Sequence, residues 1–449
     1  MSLITRIQFT LLQFIGVTCV IFAGSAHAIL PIDTLDTAKG AKAYFIQTKS
    51  LPIIDVEVSI DAGSRYDPNN KSGVAALTAQ LMTLGSGSGK SSLSEAQIAD
   101  EIADLGASIS IAASSERTVL RIRSLSRSDL RERVVQLASM ILAKPSYDVA
   151  VVDREKQRLI TALLEAQTKP ETILQQNLRK AVYGTYPLAN FPTPKTVAAI
   201  TAADLRNFHA SYYRGDRISV NIVGDLDRTQ ANAIVRELLA SLPQSGPTIA
   251  ALPVMQQTPQ GSLSQREQRI PFDTQQAHIA MGMTAITRSN PDFFPLLIGN
   301  YVLGGGGFVS RLMAEVREKR GLAYSINSYF APGKDAGFFE AGMQTKKDQA
   351  LLGLEVMQKT ISQFIADGPT EAELLAAKSN LINGYPLRLD SNRKLLDNLS
   401  GITWNDLPLD TMETWVKQVE AVTLPQIRAA FQRHLDMKRM QIVVVGINK

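Results

Sequence analysis

Only four histidines (His27, His209, His278 and His434) and one cysteine (Cys19) occur in the 449-residue chain. No histidine has another at the i+3, i+4 or i+5 spacing by which a helix presents two imidazoles to one metal ion. His209 and His434 fall near the ends of equivalent helical stretches and His278 opens an apolar strand, so all three read as partly buried polar residues. Two other runs have donors to offer. Arg317-Glu-Lys-Arg-Gly-Leu-Ala-Tyr324 holds a guanidinium fork and a phenol, both suited to carbonyl oxygens and to a developing oxyanion. Its plainer reading is a solvated charge run beside a core tyrosine. Gly304-Gly305-Gly306-Gly307-Phe308 leaves backbone amides uncovered and tolerates positive φ, so a peptide could approach closely; equally, it could be a tight connection between helices. Gly85-Ser-Gly-Ser-Gly-Lys-Ser91 imitates a phosphate loop. Leu84 stands where its first glycine is required, however, and a helix precedes it instead of a strand. It is a loop.

These runs sit in a duplicated framework. Ile200-Thr-Ala-Ala-Asp-Leu-Arg206 followed by Arg217-Ile-Ser-Val-Asn-Ile-Val-Gly224 is echoed by Val422-Thr-Leu-Pro-Gln-Ile-Arg428 and Arg439-Met-Gln-Ile-Val-Val-Val-Gly446, with a constant offset (423 − 201 and 446 − 224 both give 222). Each copy reads as a Thr-capped amphipathic helix, a basic turn and an apolar strand ending in Gly. Upstream, residues 53–62 alternate as a strand with Val56, Val58 and Ile60 on one face. A helix over 72–84, the loop 85–89, a helix over 94–105 and a strand from 106 follow. The second half repeats this order: strand 278–283, helix 291–303, loop 304–307, helix 310–319, strand 323–330. Pro- and Gly-rich residues 243–264 read as a linker. The expected class is α+β, two homologous α/β units of mainly antiparallel strands.

Bulk properties agree with a globular protein. The chain is 45% hydrophobic and 20% charged, and its net charge of +5 is not gathered into basic blocks, which argues against nucleic acid. Arg6, an apolar stretch over 7–22 and Ala26-His27-Ala28 form a secretory leader pattern cleaved after Ala28. The apolar stretch is interrupted by Gln8, Thr10, Gln13 and Thr18 and is short for a membrane span. Cleavage removes Cys19, which excludes thiol chemistry and disulfides from the mature chain.

The segment Gly73-Val-Ala-Ala-Leu-Thr-Ala-Gln-Leu-Met-Thr-Leu-Gly-Ser86, preceded by Gly63-Ser-Arg65-Tyr-Asp67-Pro68, resembles the metal helix and flanking turn of M16 metallopeptidases, the insulinase, pitrilysin and processing-peptidase family. On that family's His-x-x-Glu-His motif the two ligand positions fall on Ala76 and Gln80 and the general base on Ala79. A methyl group has no lone pair for zinc and cannot take a proton from water. The third ligand, on a helix containing Glu155, falls on Ala162, with Glu165 nearby. The resemblance spans the mature chain and implies a half-shell of two M16 domains: an N-terminal domain over 29–242 with its zinc motif lost, the linker, and a C-terminal domain over 265–449. It also implies that Arg317 and Tyr324 contact substrate across the chamber, with Gly304, Gly305, Gly306 and Gly307 as the glycine-rich loop. The functional expectation is a non-catalytic periplasmic subunit. This chain would hold no metal of its own and would form a heterodimer with an M16 partner that bears the intact motif and its zinc. The substrate would be an extended peptide held partly by addition to a sheet edge. The alternative is a peptide-binding or scaffold protein of the same descent with no part in proteolysis.

Overall fold

The computed structural model describes residues 30–37, 40–87, 89, 92–335 and 337–447. The expected leader, residues 1–28, lies outside them. Strands β1 (Asp33–Thr34), β2 (Lys42–Gln47), β3 (Ile53–Ile60), β4 (Ser108–Ala113), β5 (Thr118–Leu125) and β6 (Ile218–Gly224) form one sheet in the order β1-β2-β6-β3-β5-β4. A second sheet is built from β7 (Glu267–Ile270), β8 (Gln276–Ala285), β9 (Ser325–Ala331), β10 (Gly337–Lys346) and β11 (Gln441–Val445), in the order β9-β10-β8-β11-β7. Without β1 the two orders are the same. Each has one parallel pair, β2 with β6 and β7 with β11, and antiparallel pairing elsewhere. The duplication therefore extends to topology.

Five helices position the site and join the halves: α1 (Val74–Leu81), α2 (Val149–Ala166), α3 (Pro170–Tyr183), α4 (Phe293–Asn300) and α5 (Asn392–Trp404). The helices α3 and α5 are exchanged. Although α3 follows the first half's elements in sequence, it packs on β8 and β11 of the second sheet. Helix α5 packs on β3 and β6 of the first. Their starts differ by the repeat offset (392 − 170 = 222), so each half lends its equivalent helix to the other.

This exchange changes the reading of β3. Val56, Val58 and Ile60 lie in the apolar core, as the alternation requires. The opposite face is not solvated: Asp55, Glu57 and Ser59 are each 2% exposed or less. Glu57 accepts hydrogen bonds from Ser59 Oγ (2.8 Å), Arg121 Nε (3.0 Å) and, across the halves, Ser400 Oγ on α5. Arg117 donates to Ser400 Oγ at 3.0 Å and stacks on Trp404, while Thr403 donates to Asn221 at 3.0 Å. Around α3 the contact is apolar instead: Leu174, Leu178 and Val182 pack with Ala280, Phe338 and Val443. A polar latch and an apolar one thus hold the two halves together, and residues 31–449 form one compact unit.

Two helical readings are shortened. The helix expected over 72–84 is regular only over Val74–Leu81, and that expected over 291–303 ends at Asn300, where a π-turn, Tyr301–Gly305, takes over.

Candidate functional site

Helix α1 starts at Gly73, whose φ of 111° places it in the left-handed region that glycine alone occupies without strain. The Asp67 carboxylate, from the Gly-Ser-Arg-Tyr-Asp-Pro turn, accepts from Gly73 N (2.7 Å) and Ala75 N (2.8 Å). The turn is therefore the N-terminal anchor of α1. Burial pushes the Asp67 carboxyl up from 3.8 to about 6, against the two amide hydrogen bonds that favour its charged form.

On α1 the positions expected to match the zinc motif, two for ligands and one for the general base, are chemically closed. Ala76 is exposed, Ala79 is fully buried and Gln80 is exposed. The Gln80 amide donates to Glu155 Oε2 on α2 at 3.1 Å. Glu155 is 2% exposed, and its other oxygen accepts from Arg154 Nε (2.7 Å) and Arg158 Nη1 (2.8 Å). Ala162 is exposed, and Glu165 pairs with Lys169 at 3.0 Å. Two methyls, a donating amide and a carboxylate already neutralised do not fit zinc. Among the described residues no cluster of three His, Cys, Asp or Glu side chains could hold a metal ion. The three described histidines lie elsewhere and apart from one another. His209 Nε2 lies 2.9 Å from the Leu142 carbonyl and stacks on Tyr213. His434 Nε2 lies 2.7 Å from Asp292, and buried His278 is 3.5 Å from Glu171. Burial lowers the pKa of both His209 and His278.

The second half differs. Arg317 lies in a π-helical segment, Met313–Glu318. Three charges of the same run satisfy one another, since Glu315 pairs with both Lys319 (2.6 Å) and Arg320 (2.8 Å). Arg317 has no carboxylate partner among the described residues; its guanidinium lies 5.1 Å from the ring centre of Phe308, which is 67% exposed. Tyr324 leads into β9, anchored by its N–H on Gln344 O at 3.1 Å, with a side chain left 58% exposed. Both donors are available to an incoming ligand.

The glycine run is not a slack loop. Gly304 is buried against β9, where a Cβ would overlap Ser328; Cβ atoms at Gly305 and Gly306 would meet the Asn300 amide at 2.8 Å and the Tyr301 carbonyl oxygen at 2.7 Å. Gly306 N donates to Tyr301 O at 2.8 Å, closing the π-turn. Gly307 alone is required by conformation, with φ +63° and open space around it. Asn300, which the sequence did not single out, fastens this turn to β9: its amide donates to Ser328 O (3.0 Å) and accepts from Ser328 Oγ (2.8 Å). Its only signal was a lone polar side chain at the end of an otherwise apolar helix.

Residues 44–192 match the family profile described as insulinase (peptidase family M16), and residues 199–381 match the peptidase M16 inactive domain. A crystal structure of a peptidase M16 inactive domain from Pseudomonas fluorescens aligns with TM-score 0.87 at 32% identity, covering 94% of this chain and 98% of that one. The chain belongs to the peptidase M16 family. The non-peptidase homologue YmxG of Helicobacter pylori is 24% identical over 432 residues, 96% of this chain and 97% of its own length. The periplasmic protease PqqL of Escherichia coli shares the fold, with TM-score 0.78 at 17% identity over 94% of this chain and 46% of its own. The match to the peptidase M16 inactive domain supports an M16 homologue that is not catalytic alone. Among its described residues no helix is long and apolar enough to cross a membrane.

Proposed function

We propose that this chain is the non-catalytic subunit of a periplasmic two-chain M16 zinc metallopeptidase. The observation that carries the reading is the asymmetry of the site: the α1 positions expected to hold zinc carry Ala76 and Gln80, whereas half-buried Arg317 has no carboxylate partner among the described residues and the Tyr324 side chain is exposed. In this reading the partner supplies the zinc, which polarises the scissile carbonyl when bound. Arg317 holds a substrate carbonyl with its guanidinium fork, and the Tyr324 phenol donates to the oxygen that gains charge. Strand β9 is the edge strand of its sheet, with the Ser328 carbonyl taken by Asn300, and an extended peptide adding to the remaining edge would gain main-chain hydrogen bonds without sequence demands. Secretion through the leader at residues 1–28 would bring both chains to the periplasm.

The scaffold alternative has one observation in its favour: Gly304, Gly305 and Gly306 are each explained by packing within the turn. The deciding experiment is affinity purification of the tagged chain from its own host, followed by mass spectrometry. Stoichiometric recovery of a chain bearing His-x-x-Glu-His supports the two-chain peptidase. Recovery of the chain alone, or with unrelated proteins, overturns it in favour of the scaffold.

A further inference from the structure

Arg288 lies in the turn after β8, at the position that Arg65 holds after β3 (288 − 65 and 291 − 68, for the prolines that follow, both give 223). The two guanidiniums have opposite surroundings. Arg65 is 5% exposed and pairs with Asp61 at 2.8 Å and with Asp335. Arg288 is half-buried and has no hydrogen-bond or ion-pair partner for its side chain among the described residues. Its guanidinium carbon sits 3.5 Å from the ring centre of Phe293. The closest acid in sequence, Asp292, is taken by Arg433 and His434. Burial without a counter-charge pushes the Arg288 guanidinium down to about 10, which still leaves it protonated at neutral pH.

Phe293 is also a wall of a cavity of about 510 Å³, lined further by Ile286, Leu297 and Phe330, with Asn327 from the edge strand β9. This volume is in the range of small-ligand pockets. Arg288 does not itself line the cavity but adjoins it across the shared Phe293 ring. Because a half-buried cation without a partner is costly, a ligand that reaches past Phe293 and returns an anion to it is favoured. The cavity favours an apolar group, and the edge strand favours a main chain. One molecule joins all three features: a peptide ending in an apolar residue.

The geometry points to a subsite for the C-terminal residue of a peptide, with its apolar side chain in the cavity and its α-carboxylate on Arg288. The inference rests on the reading that this chain binds peptide, and it adds which end is held and by what.

Fluorescence anisotropy on the purified chain tests it, using an N-terminally labelled peptide ending in Phe, the same peptide amidated at its C-terminus, and laurate as competitor. The free acid binds at least tenfold more tightly than the amide. Arg288→Gln removes that preference, and Arg288→Lys retains part of it, with thermal unfolding confirming that both variants fold. Equal binding of acid and amide to the wild type overturns the subsite and leaves peptide binding standing. Displacement of the peptide by laurate at matched concentration overturns it in favour of a lipid acid. Failure of every peptide to bind, with or without a partner chain, defeats both the subsite and the reading on which it rests.

Discussion

The two halves share a strand order, yet the charged groups beside α1 and those beside β9 are treated differently. Around α1 and α2 every polar side chain that could have served a metal is absent or satisfied: Gln80 and two arginines saturate Glu155, and Asp67 caps the helix. Around α4 and β9, Arg288, Arg317 and Tyr324 have no carboxylate partner among the described residues. A satisfied polar group contributes to stability and offers little to a ligand, whereas an unsatisfied one costs stability and keeps its hydrogen bonds for binding. On the proposed reading, the first region serves as scaffold and the second as a site. Substitutions in the first should therefore be read in unfolding, and those in the second in function.

Breaking the buried latch should have the largest effect. Glu57→Leu leaves Arg117 and Ser400 without their carboxylate and should lower stability by about 3 kcal/mol or more, measured by urea unfolding. An effect below about 1 kcal/mol would show that the α5 contact is not a structural joint. Next comes Asp67. Because its folded pKa, about 6, lies above the unfolded 3.8, its contribution is fully present below about pH 4 and is lost as pH rises through 6. The stability of wild type minus Asp67→Asn should therefore fall by on the order of 3 kcal/mol between pH 4 and pH 7. A difference that is constant with pH would contradict the assignment. Gln80→Ala removes one exposed donor from a carboxylate that keeps two arginines, so about 0.5–1 kcal/mol is expected. Smallest in stability is Tyr324→Phe, which should change unfolding by less than about 0.5 kcal/mol. A larger loss would place the phenol in the fold and remove the contrast between the regions.

Much of this was legible in the sequence. The constant 222-residue offset gives the duplication, and the alternation of Val56, Val58 and Ile60 gives the strand and its core face. The identity of residues 76, 79 and 80 is what makes the sequence read as one without metal chemistry, because a methyl has no lone pair for zinc and a neutral amide is a poor substitute for imidazole. What the sequence conceals is partnership at long range. The amphipathic pattern of α3 shows that it is buried but not that the other half's sheet buries it. For the same reason Asp55, Glu57 and Ser59 look like a solvated face when they are a sealed one. Gly304, Gly305 and Gly306 looked permissive, but each is fixed by a neighbour that only the tertiary structure supplies: Ser328, Asn300 and Tyr301. Unpaired status is also invisible in sequence. Arg317 stands among five charged residues, and only the coordinates show that Glu315 is taken by Lys319 and Arg320.

The central claim is that this chain serves a partner's active site without holding metal itself. The most direct test is single-turnover peptide hydrolysis by the reconstituted complex carrying Arg317→Ala together with Tyr324→Phe, at matched assembly and matched zinc content. The account predicts unchanged assembly, unchanged zinc and a loss of about 100-fold in the chemical step. Hydrolysis at the wild-type rate would contradict it and leave the two donors as inherited remnants.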